Sequence, residues 1–289
     1  ERLDKKKTAS NYICAFKHFK RFRGDQDIAI EDLTVGQMKD FQSYLIGEGL
    51  RMNTISLYNR ELRAVYNYAL DEEIIQMDKR PFRKSFTGQE KTRKRAVDGG
   101  VVKRLAILSL IDKEMLGFAR DLFLFSIYMQ GMPFIDMAYL KKEQVRNGCI
   151  TYQRRKTNRQ LRVKIHPQAQ IIIDRYMVSD PGCPYLFPIL YDPEKKTERE
   201  YSSALRVYNK RLDSLSSLLE LDEPLTSYVA RHTWASLARQ CGTSDTVISE
   251  AMGHSHVGVT TIYLASLDIG MVAMANQRVI TSLFRKRIP

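Results

Sequence analysis

Over the first eighty residues the apolar positions fall at helical spacing. Tyr12, Ala15, Phe16, Phe19 and Phe22 line one face, with Lys17, Lys20 and Arg21 between them. Thr34-Val35-Gly36-Gln37 reads as a capping box, and Met38, Phe41, Leu45 and Ile46 follow on one face. Gly47-Glu48-Gly49 stops that helix. A third stripe begins near Asn53 and runs through Ile55, Tyr58, Leu62, Val65, Tyr66 and Ala69. The pattern predicts small helices around a small core over 1–80, with the aromatic stripes read as packing rather than as platforms for bases.

From Asp78 to Ala96 the periodicity fails. Lys79, Arg80, Arg83, Lys84, Lys91, Arg93, Lys94 and Arg95 crowd this stretch, and a basic interdomain linker is expected over 81–96. Two readings of it stand side by side: a solvated tether, or cations lying along phosphates, each neutralised phosphate releasing a counterion. Beyond it, 97–289 reads as a larger and mainly helical domain. Ala119 to Tyr128 is a strongly apolar, central helix. Cys149 to Tyr152 and Leu161 to Ile165 suit strands, and the polar run Arg154-Arg155-Lys156-Thr157-Asn158-Arg159 between them makes a β-hairpin with a basic tip. Helices are expected near 168–177, 201–218, 226–240 and 244–252. An apolar tail with Val272, Met274, Val279, Ile280, Leu283 and Phe284 reads as a helix, packed at home or docked on a neighbour. The fold class is therefore mainly α with a small β-hairpin or sheet.

Charge narrows the partners. A formal net charge of +13 and a pI near 9.5 point first to nucleic acid and second to an anionic membrane surface. The richest apolar stretch, Leu122 to Met129, is far short of the ~20 residues a span needs, so membrane enzymes are excluded. Cys14, Cys149, Cys183 and Cys241 are scattered without a C-x-x-C pair, which reads as reduced, mostly packed thiols in a cytoplasmic protein. With Glu1 rather than Met at its start, the chain reads as a fragment or processed product.

Four polar clusters in the second domain carry candidate chemistry: the hairpin tip with Lys156, Thr226 to Thr233 with Arg231, Met252-Gly253-His254-Ser255-His256, and Thr260-Thr261-Ile262-Tyr263-Leu264. Metal-free phosphodiester cleavage needs an in-line nucleophile, a cation for the charge that builds on phosphorus, and an acid for the leaving oxygen. Arg suits the second task through its planar fork, Lys or His the third, and a Tyr hydroxyl amid cations the first. His254 and His256 lie two apart, but no Cys, H-E-x-x-H or carboxylate cluster supports a metal site, and none is expected. His232 and Trp234 read as packed residues.

Arg231-His232-Thr233, then Met252-Gly253-His254-Ser255, then Thr260-Thr261-Ile262-Tyr263, in this order, resemble the C-terminal signature of the tyrosine recombinases (the phage integrase family). The wording of Gly131-Met132-Pro133-Phe134-Ile135-Asp136-Met137-Ala138 and of Tyr263 to Asp268 is similar to that of integrases of Bacteroides-type mobile elements. The resemblance implies a helical core-binding domain of SAM-like type followed by a catalytic domain. It implies that Tyr263 attacks DNA to give a 3′-phosphotyrosine, Arg231 clamps the phosphate, Lys156 protonates the leaving oxygen and His254 hydrogen-bonds the phosphate or shuttles a proton.

The resemblance further implies double-stranded DNA as partner, no cofactor, and a homotetramer on two duplexes. Accessory DNA-bending proteins and a nucleoid-associated, cytoplasmic location in a bacterium belong to the same picture. Lys91, Arg93, Lys94, Arg95, Arg154 and Arg155 are the expected DNA contacts, the last two at flanking phosphates or in solvent. Family integrases often carry a further N-terminal arm-binding domain, which a chain beginning at Glu1 is expected to lack.

Two positions depart from the family's pattern. Pro133 stands where an Arg is usual, and Tyr228 stands where a His is usual, which makes Tyr228 a candidate in the site. Arg159, on the far side of the hairpin tip, is the expected substitute for the missing guanidinium. A type IB topoisomerase and a non-catalytic DNA-binding relative are the alternative readings, the latter favoured by Pro133 and Tyr228.

Overall fold

The structure, a computed structural model, describes residues 6–90, 95–192 and 194–254. The chain divides into two units, Glu1–Arg93 and Lys94–Pro289. In the first, α1 (Lys6–Phe22), α2 (Val35–Gly47) and α3 (Met52–Asp71) enclose a core of Phe19, Met38, Phe41, Leu45, Ile55 and Tyr66. The capping box forms as the sequence predicts: Thr34 Oγ1 accepts from Gln37 N at 3.2 Å, and Gln37 Oε1 accepts from Thr34 N at 2.9 Å. The apolar stripes are wider than the surface three short helices can cover. Phe16, Ile46 and Val65 accordingly stay exposed beside the buried Ala15, Leu45 and Tyr66.

The segment expected to begin the linker is packed instead. Phe82 is buried in the first core. Downstream, polar side chains of α3 hold the backbone: Asn59 Nδ2 donates to Phe86 O at 3.0 Å and Ser56 Oγ to Gly88 O at 2.6 Å. Asn53 pairs with Glu90 in both directions, at 3.0 and 2.8 Å. Periodicity of apolar residues cannot reveal such a strap, because its partners are amides and a hydroxyl on a helix face.

The second unit is built on α5 (Glu114–Tyr128), which follows α4 (Gly99–Ile107). Its residues from Leu122 to Ile127 are all buried, as a helix apolar on every side requires. After α6 (Phe134–Ala138) comes an antiparallel sheet of β1 (Val145–Arg146), β2 (Cys149–Gln153) and β3 (Gln160–Lys164), in that order. Ile150 faces Val163 and Tyr152 faces Leu161 across β2 and β3, and all four point into the core. The chain continues through α7 (Pro167–Tyr176), the short pair β4 (Tyr191–Asp192) and β5 (Thr197–Glu198), then α8 (Tyr201–Leu218), α9 (Val229–Gln240) and α10 (Asp245–Ala251).

Helices α7, α8 and α9 pack on α5. The buried Asp121 ties α5 to α7 by accepting from Arg175 Nη1 and Tyr176 Oη, each at 2.8 Å. Among the described residues no helix is long and apolar enough to cross a membrane. Of the four cysteines, all free, only Cys183 is buried, whereas Cys14 and Cys241 are exposed, against the expectation of mostly packed thiols. The expected tail helix lies outside the described residues.

Candidate active site

Arg231 occupies the first turn of α9 and is almost wholly buried, with 1% of its surface accessible. Its guanidinium is held on several sides. Nη1 donates to Gly131 O at 2.8 Å, and Nη2 donates to Met252 O at 2.6 Å and lies 3.0 Å from His254 Nε2. Gly131 has φ +70°, and a Cβ there would stand 3.2 Å from Arg231 Cα, so the turn ending α5 approaches α9 only because position 131 lacks a side chain. The sequence Gly131-Met132 thus does structural work for a residue one hundred positions away.

His254 lies just beyond α10, after Met252 and Gly253, and it is buried. Burial, then the charges of Arg231, Arg154 and Lys156, push its pKa from 6.5 down to about 3. Lys156, on the exposed hairpin tip, therefore bears electrostatically on the same ring as the buried arginine. The structure brings Lys156, Arg231 and His254 into one neighbourhood. Tyr263, His256, Lys91, Arg93 and Lys94 lie outside the described residues, and Arg95 is exposed.

One hairpin arginine departs from expectation. Arg154, expected at flanking phosphates or in solvent, is buried at 5% accessibility. Its Nη1 donates to Gly253 O at 3.1 Å, and its Nε lies 3.7 Å from Asp136 Oδ2. The physical reason is strand alternation. Position 154 continues the inward face of Ile150 and Tyr152, and a charged residue is accepted there because Asp136 and a carbonyl receive it.

Asp136 also accepts from Arg155 N at 3.0 Å, and burial pushes its pKa up against the pull of that bond and the surrounding arginines. Arg155 itself is exposed and stacks its guanidinium 3.8 Å from the Tyr139 ring centre. Arg159 donates from Nη1 to His254 O at 3.1 Å and lies 3.7 Å from Glu250, so it reaches the His254 backbone from the other strand.

Tyr228, the residue before α9, is 42% exposed and meets the His232 ring edge-on at 4.9 Å. His232 is buried, as a packed histidine was expected to be. Pro133 caps α6 and brings no side-chain donor. Asp136 is given no role by the sequence reading, and Arg154 is expected there at flanking phosphates or in solvent rather than inside the site. The signal for the first was present: a lone carboxylate in the apolar run Phe134-Ile135-Asp136-Met137-Ala138 demands a buried cation. Among the described residues no three His, Cys, Asp or Glu side chains come together to hold a metal ion.

A family model described as the phage integrase family matches residues 104–268, and one described as a phage integrase SAM-like domain matches residues 1–86. Among solved structures, the Tn1549 transposon integrase in complex with transposon right end DNA is similar over 93% of this chain and 94% of that one, with TM-score 0.72 and 13% identity. A lambda integrase dimer bound to a COC′ core site is similar over 93% and 94%, with TM-score 0.69 and 16% identity. A lambda integrase tetramer bound to a Holliday junction is similar over 92% and 75%, with TM-score 0.70 and 16% identity. No curated protein matches in sequence.

Proposed function

The chain belongs to the phage integrase family and is a site-specific tyrosine recombinase that cleaves and rejoins DNA, and on that premise we propose how its residues divide the work. Tyr263 attacks the scissile phosphorus, the phosphorus–O5′ bond breaks, and a 3′-phosphotyrosine forms. The phenol proton leaves to water, and Lys156 gives a proton to O5′ and recovers one from water. Arg231 neutralises the non-bridging oxygens, and His254, as a neutral ring, orients it. The observation that carries this reading is geometric: Arg231 Nη2 lies 3.0 Å from His254 Nε2, and Arg154 Nη1 binds the neighbouring Gly253 carbonyl at 3.1 Å. Retaining the bond energy in the phosphotyrosine lets the strands be rejoined without ATP, and every charge stabiliser named is a side chain.

The guanidinium that Pro133 fails to provide comes, in this reading, from Arg154 rather than from Arg159. Arg159 is engaged with the His254 carbonyl and Glu250. Arg154 is fixed beside Asp136 and, among the described residues, commits only Nη1 to a hydrogen bond, which leaves donors for a phosphate oxygen. Tyr228 sits at the edge of the site against His232, where its hydroxyl is a further donor. Arg95, Arg155, Lys91, Arg93 and Lys94 serve as contacts to the flanking backbone.

The partner is double-stranded DNA, and the assembly a homotetramer on two duplexes, as the solved integrase complexes suggest by likeness of fold. The Bacteroides-type wording around Gly131 and Tyr263 supports an integrase of a mobile element, acting at the bacterial nucleoid with accessory DNA-bending proteins.

A nicked suicide substrate tests the assignment of the nucleophile. Tyr263→Phe removes one hydroxyl, so DNA binding persists and the covalent complex disappears. A covalent adduct surviving in that variant places the nucleophile elsewhere. Cleavage by the parent persists in EDTA, and loss on chelation with recovery in Mg²⁺ or Zn²⁺ overturns the side-chain-only mechanism. Supercoiled plasmid is the control for topoisomerase behaviour: a recombinase does not relax it independently of site.

A further inference from the structure

The backbone on either side of the Gly253–His254 peptide is gripped by the hairpin in a way the reaction scheme leaves unused. The Gly253 carbonyl accepts two hydrogen bonds, from Thr157 Oγ1 at 3.2 Å and Arg154 Nη1 at 3.1 Å. One residue on, the His254 carbonyl accepts from Arg159 Nη1 at 3.1 Å. Gly253 has φ +65°, and a Cβ there would stand 3.0 Å from Leu161 Cδ1 and 3.1 Å from Arg154 Cδ, so nothing separates this loop from the two strands. The tip closes on itself through Arg154 N to Arg159 O and Asn158 N to Arg154 O, both 2.8 Å. Lys156 sits inside that closed tip, next in sequence to Thr157.

We propose that Thr157 and Arg159 are positioning residues for protonation of the leaving oxygen. They clasp the tip to the Gly253–His254 backbone, so that Lys156 is carried at a fixed distance from the phosphate that Arg231 and His254 bind. The inference rests on the reading of Lys156 as the acid. Its physical basis is the lysine side chain itself. A flexible four-carbon stem on an exposed turn samples many positions, and proton transfer needs the nitrogen within about 2.6–3.2 Å of the oxygen. A hydroxyl and a guanidinium, each bonded to a carbonyl next to or within the site, remove the motion of the turn and leave only that of the stem. Thr157 and Arg159 are both exposed, so their replacement does not open the core.

The test uses two suicide substrates that differ in the atom leaving the scissile phosphorus, ordinary 5′-oxygen or 5′-bridging sulfur. A thiol has a pKa of about 8.5, so its thiolate departs without a proton. Single-turnover cleavage at saturating protein is measured for the parent, Lys156→Ala, Thr157→Val and Arg159→Gln, with melting temperature and DNA binding as controls. We expect both clasp variants to cleave the oxygen substrate about 10–100-fold more slowly than the parent, a misplacement-sized loss. On the sulfur substrate each should come within a few-fold of the parent, as Lys156→Ala should.

Parental rates on oxygen for both clasp variants overturn the proposal, and so does an equal loss on both substrates, which marks the contacts as serving something other than the proton. If Lys156→Ala is itself not rescued by sulfur, the acid assignment fails and the clasp falls with it. Rescue of Lys156→Ala without rescue of Thr157→Val and Arg159→Gln leaves the acid in place and removes the clasp alone.

Discussion

Arg231 Nη2 and His254 Nε2 lie 3.0 Å apart, and this contact decides the protonation of the histidine. A guanidinium donates and cannot accept, so Nε2 is the acceptor and the ring's proton resides on Nδ1. A protonated ring would place two donors face to face in a buried site. Burial and the charges of Arg231, Arg154 and Lys156 act in the same direction, bringing the pKa to about 3. His254 therefore contributes a directed hydrogen bond to the site at neutral pH, not a positive charge.

His254 should remain the neutral Nδ1–H tautomer in DNA-free protein well below pH 6. Long-range proton–nitrogen NMR of labelled histidine reads both the tautomer and the titration, and a midpoint near 6.5 is incompatible with the described contact. Stability follows the same linkage. Between about pH 6.5 and about pH 3 the unfolded chain holds a proton on this ring that the folded chain lacks, so its contribution is complete above 6.5 and is lost as pH falls toward 3. Chemical denaturation of His254→Gln against the parent over that window should show a flatter pH slope in the variant.

Gly131→Ala should lower stability by about 1–3 kcal/mol and slow cleavage more than it weakens DNA binding. The added methyl meets the Arg231 backbone at 3.2 Å in a conformation of φ +70°, and the carbonyl that anchors Nη1 must shift with it. Denaturant midpoints and single-turnover rates check the two halves separately. Unchanged cleavage in a destabilised variant would show that the anchor on Gly131 is not what orients the guanidinium.

DNA affinity should fall steeply with salt, and replacing Arg93, Lys94 and Arg95 together by Ala should flatten that dependence. Each lost phosphate contact removes about 0.9 from the slope of log K against log salt. Binding isotherms at several salt concentrations measure it. The strap from Phe86 to Glu90 is held to α3, and the three cations tested follow it in sequence. An unchanged slope assigns them to solvent.

The longer helices and the hairpin are legible in the sequence because each has a strong apolar period, whereas the short α4 and α6 are not. α5, α8, β2 and β3 lie where the patterns place them, and α9 starts at Val229, later than 226, because Thr226 to Tyr228 form the turn that leads into it. The motifs that hold Arg231 and His254 are local in the chain, and the structure places Arg231 Nη2 3.0 Å from His254 Nε2, while Tyr263 lies outside the described residues. What stayed hidden was long-range polar pairing. Strand alternation puts position 154 on the inward face of Ile150 and Tyr152 and its neighbour Arg155 outside, but a charge is tolerated there only because the carboxylate of Asp136, on another element, receives it. The strap on α3 is hidden on the same grounds, since nothing in the sequence tells Asn53, Ser56 and Asn59 from any polar helix face until Gly88 and its neighbours are laid against them.

The assignment of the second guanidinium to Arg154 makes the sharpest demand on experiment. Two non-bridging oxygens take up charge in the transition state, and Arg231 already spends Nη1 and Nη2 on Gly131 O, Met252 O and His254. Loss of one preorganised donor typically costs about 10²–10³ in rate. Arg154→Ala should therefore lose that much single-turnover cleavage, and Arg154→Lys should recover only part, since a point charge replaces a fork. Both also disturb the Asp136 pair, so the rates need a second variant to separate chemistry from folding. Pro133→Arg restores a guanidinium at the position the family ordinarily uses, and the double variant Pro133→Arg with Arg154→Ala should cleave faster than Arg154→Ala alone. If Arg154→Ala melts and binds as the parent does and still cleaves at the parental rate, the site manages with Arg231 alone. If it is slow and Pro133→Arg brings no recovery at undiminished stability, Arg154 acts by holding Gly253 rather than by touching the phosphate.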